Sequence, residues 1–525
     1  MSAFSDSRST ANQPTRRAFL GGGLLGALTF GLARPAANAQ LATTPSGNPF
    51  AVTQALPTLT PEAARDAHRA MAARWRSIQQ TATPEQLYRL LYALPKGGDL
   101  HHHLGGGMLP QMWYDIATDA AKTGGQRYYT RTKISSPALL DLVPHPDSRA
   151  VLFWTTISEQ AYAQLDRAAR ADFKPLDALS DDEAAQWKSS VVLDRAGEGR
   201  DEFFEYIWFR LNHLLGNAHV LGHCVVENMR RFGAEGTRYL ELMGGDGGLT
   251  MPDDSRLTPD EAADWWRDRL SQPDAKATGV EVRFKAIVLR FADDAEANVE
   301  RAFAHIDTHR DLFVGLDMAG REDDNRGYAA RFRDVYDRMW RRYDGSIGFS
   351  MHAGEAEKRD TQIFDTLRLG ATRIGHAINL QHDDRTMQML RGGPHLLEIN
   401  PVSNHLLGYV PEPANHPFPI YLRQGIPCCL NTDDRGMWSS NHTDEFMLGH
   451  QIAHLTWDEL VTLTTNSLTH AFLEPDTKAR LLAAHETALT AYAAHFSGDD
   501  WAAKAAAIPA VNYGYANRAW GLALG

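Results

Sequence analysis

The chain has 525 residues, of which 43% are apolar and 22% charged, and a formal net charge of −12. That length admits one large barrel with insertions, the apolar content is ordinary for a soluble globular protein, and the acid excess argues against nucleic acid or anionic lipid as a non-specific partner. Three cysteines, Cys224, Cys428 and Cys429, do not make a disulfide framework, so the fold is expected to stand without bridges.

In chain order, Thr15-Arg16-Arg17-Ala18-Phe19-Leu20 precedes a Gly- and Leu-rich run from Gly21 to Leu32, followed by the small residues Ala37-Asn38-Ala39. This reads as a twin-arginine export signal over residues 1–39, cleaved after Ala39, and predicts a periplasmic or secreted protein with no membrane span once it is removed. Its loss takes away four Arg and one Asp, carrying the net charge from −12 to −15. Residues 40–93 read as a Pro- and Thr-rich linker followed by a helical segment. Eight strand candidates follow, near 98–104, 237–243, 282–289, 313–318, 347–352, 373–376, 395–399 and 427–432, with helical patterns between most of them. That alternation predicts an α/β fold, a (β/α)8 TIM barrel over residues 94–482, with chemistry at the carboxyl ends of its strands. The first interval, 105–236, exceeds what one crossover helix needs and reads as a helical insertion. Its aromatics Phe203, Phe204, Tyr206, Trp208 and Phe209 are expected to form the insertion's own core, with a cover over the barrel mouth or a homodimer contact as the other roles open to them. Residues 483–525 read as a helical tail without recognisable chemistry.

Polar residues concentrate at the ends of these strands. In a strand alternate side chains share a face, so His101 and His103 can converge on one metal while His102 points away. A third imidazole from His352 and a carboxylate from Asp433 complete a nitrogen and oxygen set that suits one catalytic zinc ion per chain, with a position open to water. Cys428 and Cys429 are expected to be small core residues, and His102, His395, His405 and His416 structural.

The motifs Pro95-Lys96-Gly97-Gly98-Asp99-Leu100-His101-His102-His103-Leu104, Asp317-Met318-Ala319-Gly320, His352-Ala353-Gly354-Glu355, Arg373-Ile374-Gly375-His376, Glu398-Ile399-Asn400-Pro401-Val402-Ser403-Asn404 and Thr432-Asp433-Asp434 together resemble the adenosine deaminase family of metal-dependent hydrolases. The resemblance spans about residues 94–472, and the Pro-Lys-Gly-Gly opening is similar to the secreted, growth-factor-related branch. It implies zinc-dependent deamination of adenosine, and of deoxyadenosine, to inosine and ammonia. In that reading His376 holds and deprotonates the attacking water, Asp433 is ligand and hydrogen-bond acceptor, and Glu355 protonates purine N1. By motif position Asp434 would meet N7 and the Gly320 N–H would meet N3, while Glu398 and Asn404 support the barrel mouth.

The sequence also departs from that family. Gly105-Gly106-Gly107 stands where members of the small intracellular branch carry a ribose-binding Asp, Met243 stands where Arg is frequent, Asn400 where Cys is frequent and Arg435 where Pro is usual. These departures bear on the sugar and on substituents more than on reaction type. A related amidohydrolase acting on adenine, a modified adenosine or another aminated heterocycle remains a second reading, and a non-catalytic extracellular nucleoside-binding protein a third.

Overall fold

Parallel strands covered on both faces are expected to be apolar along most of their length, and most of the strand candidates have that character, with 98–104 and 373–376 the polar exceptions. The computed structural model describes residues 47–135, 152–322, 327–343 and 345–525; the expected export signal, residues 1–39, lies outside them. Eight parallel strands follow one another round a barrel: β1 (Gly97–His103), β5 (Thr237–Met243), β6 (Glu281–Leu289), β7 (Phe313–Ala319), β8 (Gly348–Ala353), β9 (Arg373–His376), β10 (Leu396–Ile399) and β11 (Cys428–Leu430). The intervening numbers belong to three short strands in the insertion, β2 (Tyr128–Arg131), β3 (Thr156–Ser158) and β4 (Phe173–Pro175).

The barrel closes through the chain just beyond β11. Asp433 N donates to His101 O at 2.8 Å, His103 N donates to Asp433 O at 3.2 Å, and His102 and Asp433 form a parallel bridge. Closure thereby brings the first and last strands' polar residues to one rim. Pairing between β1 and β5 shifts register between Asp99 and His102, an irregularity of the kind that re-aims side chains at functional rims.

The barrel interior holds ions as well as hydrocarbon. Arg373 on β9 bridges Glu241 on β5, at 2.5 Å, and Glu398 on β10, at 2.7 Å, and its guanidinium stacks on the Phe472 ring at 3.8 Å. All three charged groups are fully buried. Removing the cation leaves two carboxylates in a dry interior, so Arg373→Met is expected to lose about 3–5 kcal/mol of stability, read from the midpoint of a urea transition.

Outside the barrel, Pro61–Thr81 and Pro84–Ala93 are helices, each with Pro in its first turn and Thr60 or Thr83 as a side-chain cap. The first buries Met71, Trp75 and Ile78, and Trp75 Nε1 donates to Leu455 O at 2.8 Å, tying the extension to the barrel's later helices. The insertion departs from the expectation of an all-helical segment, because β3-β2-β4 form a three-stranded antiparallel sheet within it. Strands of three or four residues are too short for alternation to stand out in sequence. Phe203 packs on Trp438, ring centroids 5.2 Å apart, and Leu193 N bonds Met437 O at 2.9 Å, so the insertion lies over the chain that leaves β11. Tyr206, in contrast, is exposed. A single helix, Pro475–Phe496, runs across residues 482 and 483, where a boundary between barrel and tail was expected. Among the described residues no helix is long and apolar enough to cross a membrane.

Candidate metal centre

Three imidazoles meet at the rim where β1, β8 and the chain after β11 end. His101 Nε2 lies 3.1 Å from His352 Nε2, His103 Nε2 lies 3.2 Å from His352 Nε2, and Asp433 Oδ1 is 3.5 and 3.3 Å from the His101 and His103 Nε2 atoms. All four residues are buried, and their ligand atoms lie within 4.8 Å of one another, a group that could hold a metal ion.

The neighbours decide which imidazole nitrogens carry protons. His101 Nδ1 meets Glu398 Oε2 at 2.8 Å and His352 Nδ1 meets Asp317 Oδ1 at 2.6 Å. Both carboxylates are ionised: against their burial, the Lys285 and Arg373 charges bring Glu398 down to about 2, and His352 and Lys285 hold Asp317 well below its ordinary range. Each Nδ1 therefore donates, which turns the two Nε2 atoms toward each other. Against its burial, the Asp433 and Glu398 carboxylates raise His101 to about 10, so positive charge is favoured at this point, carried by a proton on His101 Nε2 or by a cation in its place. Zinc bonds of about 2.0–2.1 Å in a tetrahedron put neighbouring ligand atoms about 3.4 Å apart, close to the separations here. Three imidazoles and a carboxylate suit zinc or a similar divalent transition ion better than calcium or magnesium.

The other expected site residues gather beside this cluster. His376 Nε2 lies 3.9 Å from Asp433 Oδ2, and His376 Nδ1 lies 3.6 Å from Glu355 Oε1. Burial, followed by the Asp433 and Glu322 charges, raises the Glu355 carboxyl well above its ordinary range, so it keeps its proton at neutral pH. Asp434 is pushed up to about 8, chiefly by burial, and its Oδ1 has no hydrogen-bond partner among the described residues. The Gly-rich loop accounts for its room, since a Cβ at Gly106 would fall 1.6 Å from that oxygen. Gly320 has φ +114°, and a Cβ there would meet the Phe291 ring at 2.7 Å, so glycine is required by the protein's own packing. His376 and Asp433, at φ 66° and 53°, hold left-handed conformations uncommon for non-glycine residues, though Asp and His tolerate them better than most, and such positions collect at working sites.

His376 is fixed from behind by a chain of groups, of which the sequence singled out Asn404 as a support of the barrel mouth and His416 as structural, without their link to His376. Phe418 N–H donates to His416 Nδ1 at 3.2 Å, so the neutral His416 carries its proton on Nε2 and gives it to Asn404 Oδ1 at 3.0 Å. That orients the Asn404 amide to donate to His376 Nδ1 at 2.9 Å, with Asn400 Nδ2 also within 3.2 Å. Burial brings His416 down to about 3 and His376 well below its ordinary value, so both are neutral. The His376 proton consequently sits on Nε2, the nitrogen that faces Asp433.

Asp317 and Lys285 were not assigned roles from the sequence either. Lys285 Nζ lies beneath the cluster, bonded to Leu100 O and Ser350 Oγ at 2.9 Å each and 3.6 Å from Asp317 Oδ2. An acid and a lysine isolated in apolar strands were the available signals. Asp317→Ala is expected to weaken metal affinity about 10- to 100-fold by freeing the His352 ring, measured by competition with a chelator. His102 stays out of the cluster as expected: Asn228 donates to its Nε2 at 2.7 Å and its Nδ1 meets Thr432 Oγ1 at 2.8 Å. Arg435 supports that arrangement, stacked on Phe232 at 3.8 Å and paired with Glu235 at 3.3 Å.

Residues 190–487 match a family model described as adenosine deaminase, more than half of the chain. An adenosine deaminase of Enterococcus faecalis is 35% identical over 202 residues, covering 38% of this chain and 58% of that protein. The chain spans about half the length of the curated relatives it matches. Among solved structures, an adenine deaminase from Arthrobacter aurescens superposes with TM-score 0.52 at 20% identity, over 74% of this chain and 98% of that one. An Arabidopsis N6-mAMP deaminase gives 0.50 at 16%, over 74% and 97%. With an eight-stranded barrel and the family's motifs gathered at one rim, the chain belongs to the adenosine deaminase family.

Proposed function

We propose that this protein is a metal-dependent hydrolase, with zinc as the ion, that deaminates adenosine and deoxyadenosine to inosine and ammonia. The observation that carries the proposal is the convergence of His101, His103, His352 and Asp433 on one point, with a protonated Glu355 and a proton-bearing His376 Nε2 beside it. A cation at that point supplies the Lewis acidity that brings water ionisation near neutral pH. The chain's own groups do the rest. Asp433 Oδ2, the oxygen 3.9 Å from His376 Nε2, accepts the proton of the attacking water. His376 holds that water by donating from Nε2, which revises the expectation that it deprotonates it, because the Asn404 amide occupies Nδ1. Glu355 gives its proton to N1 as the nucleophile adds at C6; the proton taken up by Asp433 then passes to the amino group, which leaves as ammonia, while Glu355 recovers a proton from the new C6 hydroxyl. Asp434, protonated at neutral pH, donates to N7, and the Gly320 N–H meets N3.

Since Glu355 must be protonated to act, and burial holds it so through neutral pH, kcat is expected to fall as pH rises through its elevated pKa and to be insensitive to that group below it. A pH profile of kcat checks this; a plateau extending unbroken to pH values where enzyme stability fails contradicts it. The reaction itself is tested by following loss of adenosine absorbance together with ammonia release. Bound but unchanged nucleoside would favour a binding protein instead.

A second reading, adenine or another aminated heterocycle as substrate, is favoured by one feature. At the Gly105–Gly107 loop no ribose-binding carboxylate is present, and the space at Gly106 is taken by Asp434. A substrate panel of adenosine, deoxyadenosine, adenine and adenosine monophosphate separates the two. Export to the periplasm or outside the cell, and a place in the growth-factor-related branch, belong to the same proposal and rest on the twin-arginine motif and Pro95–Gly98.

A further inference from the structure

A second set of metal-ligating side chains lies away from the barrel rim, at the end of the helix Ala295–Thr308, just ahead of β7. His305 and His309 stand one helical turn apart, with His309 N bonded to His305 O at 3.1 Å, and their rings lie 4.7 Å apart. Asp260, at the start of the helix Pro259–Ser271, places Oδ1 2.8 Å from His309 Nε2. One ligand atom from each of the three lies within 4.8 Å of the others.

An ion pair between Asp260 and His309 would explain those two residues and leave His305 unexplained. Both His305 ring nitrogens are buried and have no hydrogen-bond partner among the described residues, while its ring packs edge-on against Phe313 at 4.5 Å. An imidazole whose two polar atoms both lack partners is costly, and a leucine would fill the same space without that cost. The surrounding charge favours a cation. Arg267, whose guanidinium lies 3.0 Å from His309 Nδ1, is already paired with Asp311 at 2.7 Å and with Asp264 at 2.8 Å. Together with Asp260 that gives three carboxylates to one arginine.

We propose that His305, His309 and Asp260 form a second divalent-metal site, of the zinc, nickel or cobalt class, that clamps the helix Pro259–Ser271 to the end of Ala295–Thr308. Two imidazoles and one carboxylate select borderline transition ions over magnesium or calcium and leave positions for water. Asp260 is exposed and can swing to complete the set, and Arg267 keeps its carboxylate partners when His309 turns to the ion. The site is structural: binding there raises thermal stability with the free-ion concentration.

The test is a Zn2+ titration of the metal-stripped full chain, read as ions bound per chain after desalting and as the Tm shift per addition. Wild type is expected to take up about two ions, and His305→Leu and Asp260→Ala about one under the same conditions, with the later part of the Tm rise lost. His103→Ala, which removes a ligand of the rim cluster, is expected to keep this second ion and its Tm response. That variant separates failure of this site from failure of the rim centre. Saturation of wild type at a single rim ion would overturn the proposal, as would retention of the second ion and its Tm shift in both His305→Leu and Asp260→Ala; if His305→Leu does not fold, Asp260→Ala decides alone.

Discussion

Glu355→Gln is expected to bind its metal as wild type does and to lose about 10²–10⁴ in kcat, the range a well-placed general acid supplies. The amide has nearly the carboxyl's shape, so the His376 contact at 3.6 Å and the neighbouring packing survive. What is lost is a proton that can be passed to the ring nitrogen as water adds. Burial keeps that proton on Glu355, and the Asp433 and Glu322 charges reinforce it. The replacement also removes the carboxylate that recovers a proton from the C6 hydroxyl as ammonia leaves. A Gln variant with near-normal kcat would remove Glu355 from the chemistry and leave the site without a proton donor for N1.

His103→Ala is expected to abolish tight metal binding at the rim and to lower the deaminase rate by several kcal/mol, on the order of 10³–10⁴-fold or more. Among the imidazole ligands His103 has the most exposed side chain, at 11% against 0% for His101 and 5% for His352, so its truncation disturbs packing least. The other two rings are anchored by Glu398 and Asp317, which would remain paired with Arg373 and Lys285. The fold should therefore persist, and a far-ultraviolet spectrum with a cooperative melt distinguishes loss of metal from loss of structure. Full activity in a folded, metal-free His103→Ala protein would contradict the ligand assignment.

The pattern of the fold was legible because most barrel strands are apolar runs separated by helices, while the shortest, β9 to β11, lie in or beside quoted motifs. Thr237–Met243 and Arg373–His376 stand where the pattern put them, and the remaining strands differ by one or two residues at an end. The His101 and His103 pair could be read from period-two geometry, although a register shift beside it shows that the strand is not regular there. What the sequence hid is mostly support from a distance. Glu398 reaches His101 across 297 positions and Asp317 reaches His352 across 35, and neither spacing follows a local rule. Asn404 was expected to support the mouth, but the link from Phe418 through His416 and Asn404 to His376 was not legible, because His416 follows no strand and belongs to no motif. It nevertheless determines whether His376 gives or takes a proton. The short strands of the insertion were missed for a different reason, since three or four residues cannot display a period and no motif marks them as one does after β11.

The paired departures from the family's usual residues also gain a physical account. Arg435 is a buried cation that holds Asn228 and Glu235 and so keeps His102 turned from the centre. Asn400 lies within hydrogen-bonding distance of the His376 ring. Both act behind the reacting groups, which leaves reaction type intact while the Gly105–Gly107 loop changes the ground around Asp434.

The most direct measurement is a titration of metal-stripped protein with Zn2+ while adenosine turnover is followed. Turnover should rise from near zero and be restored in full once the rim site holds about one ion per chain, and His352→Ala should show no restoration at any zinc concentration. Full turnover in rigorously stripped wild type, or equal restoration in His352→Ala, would contradict the account.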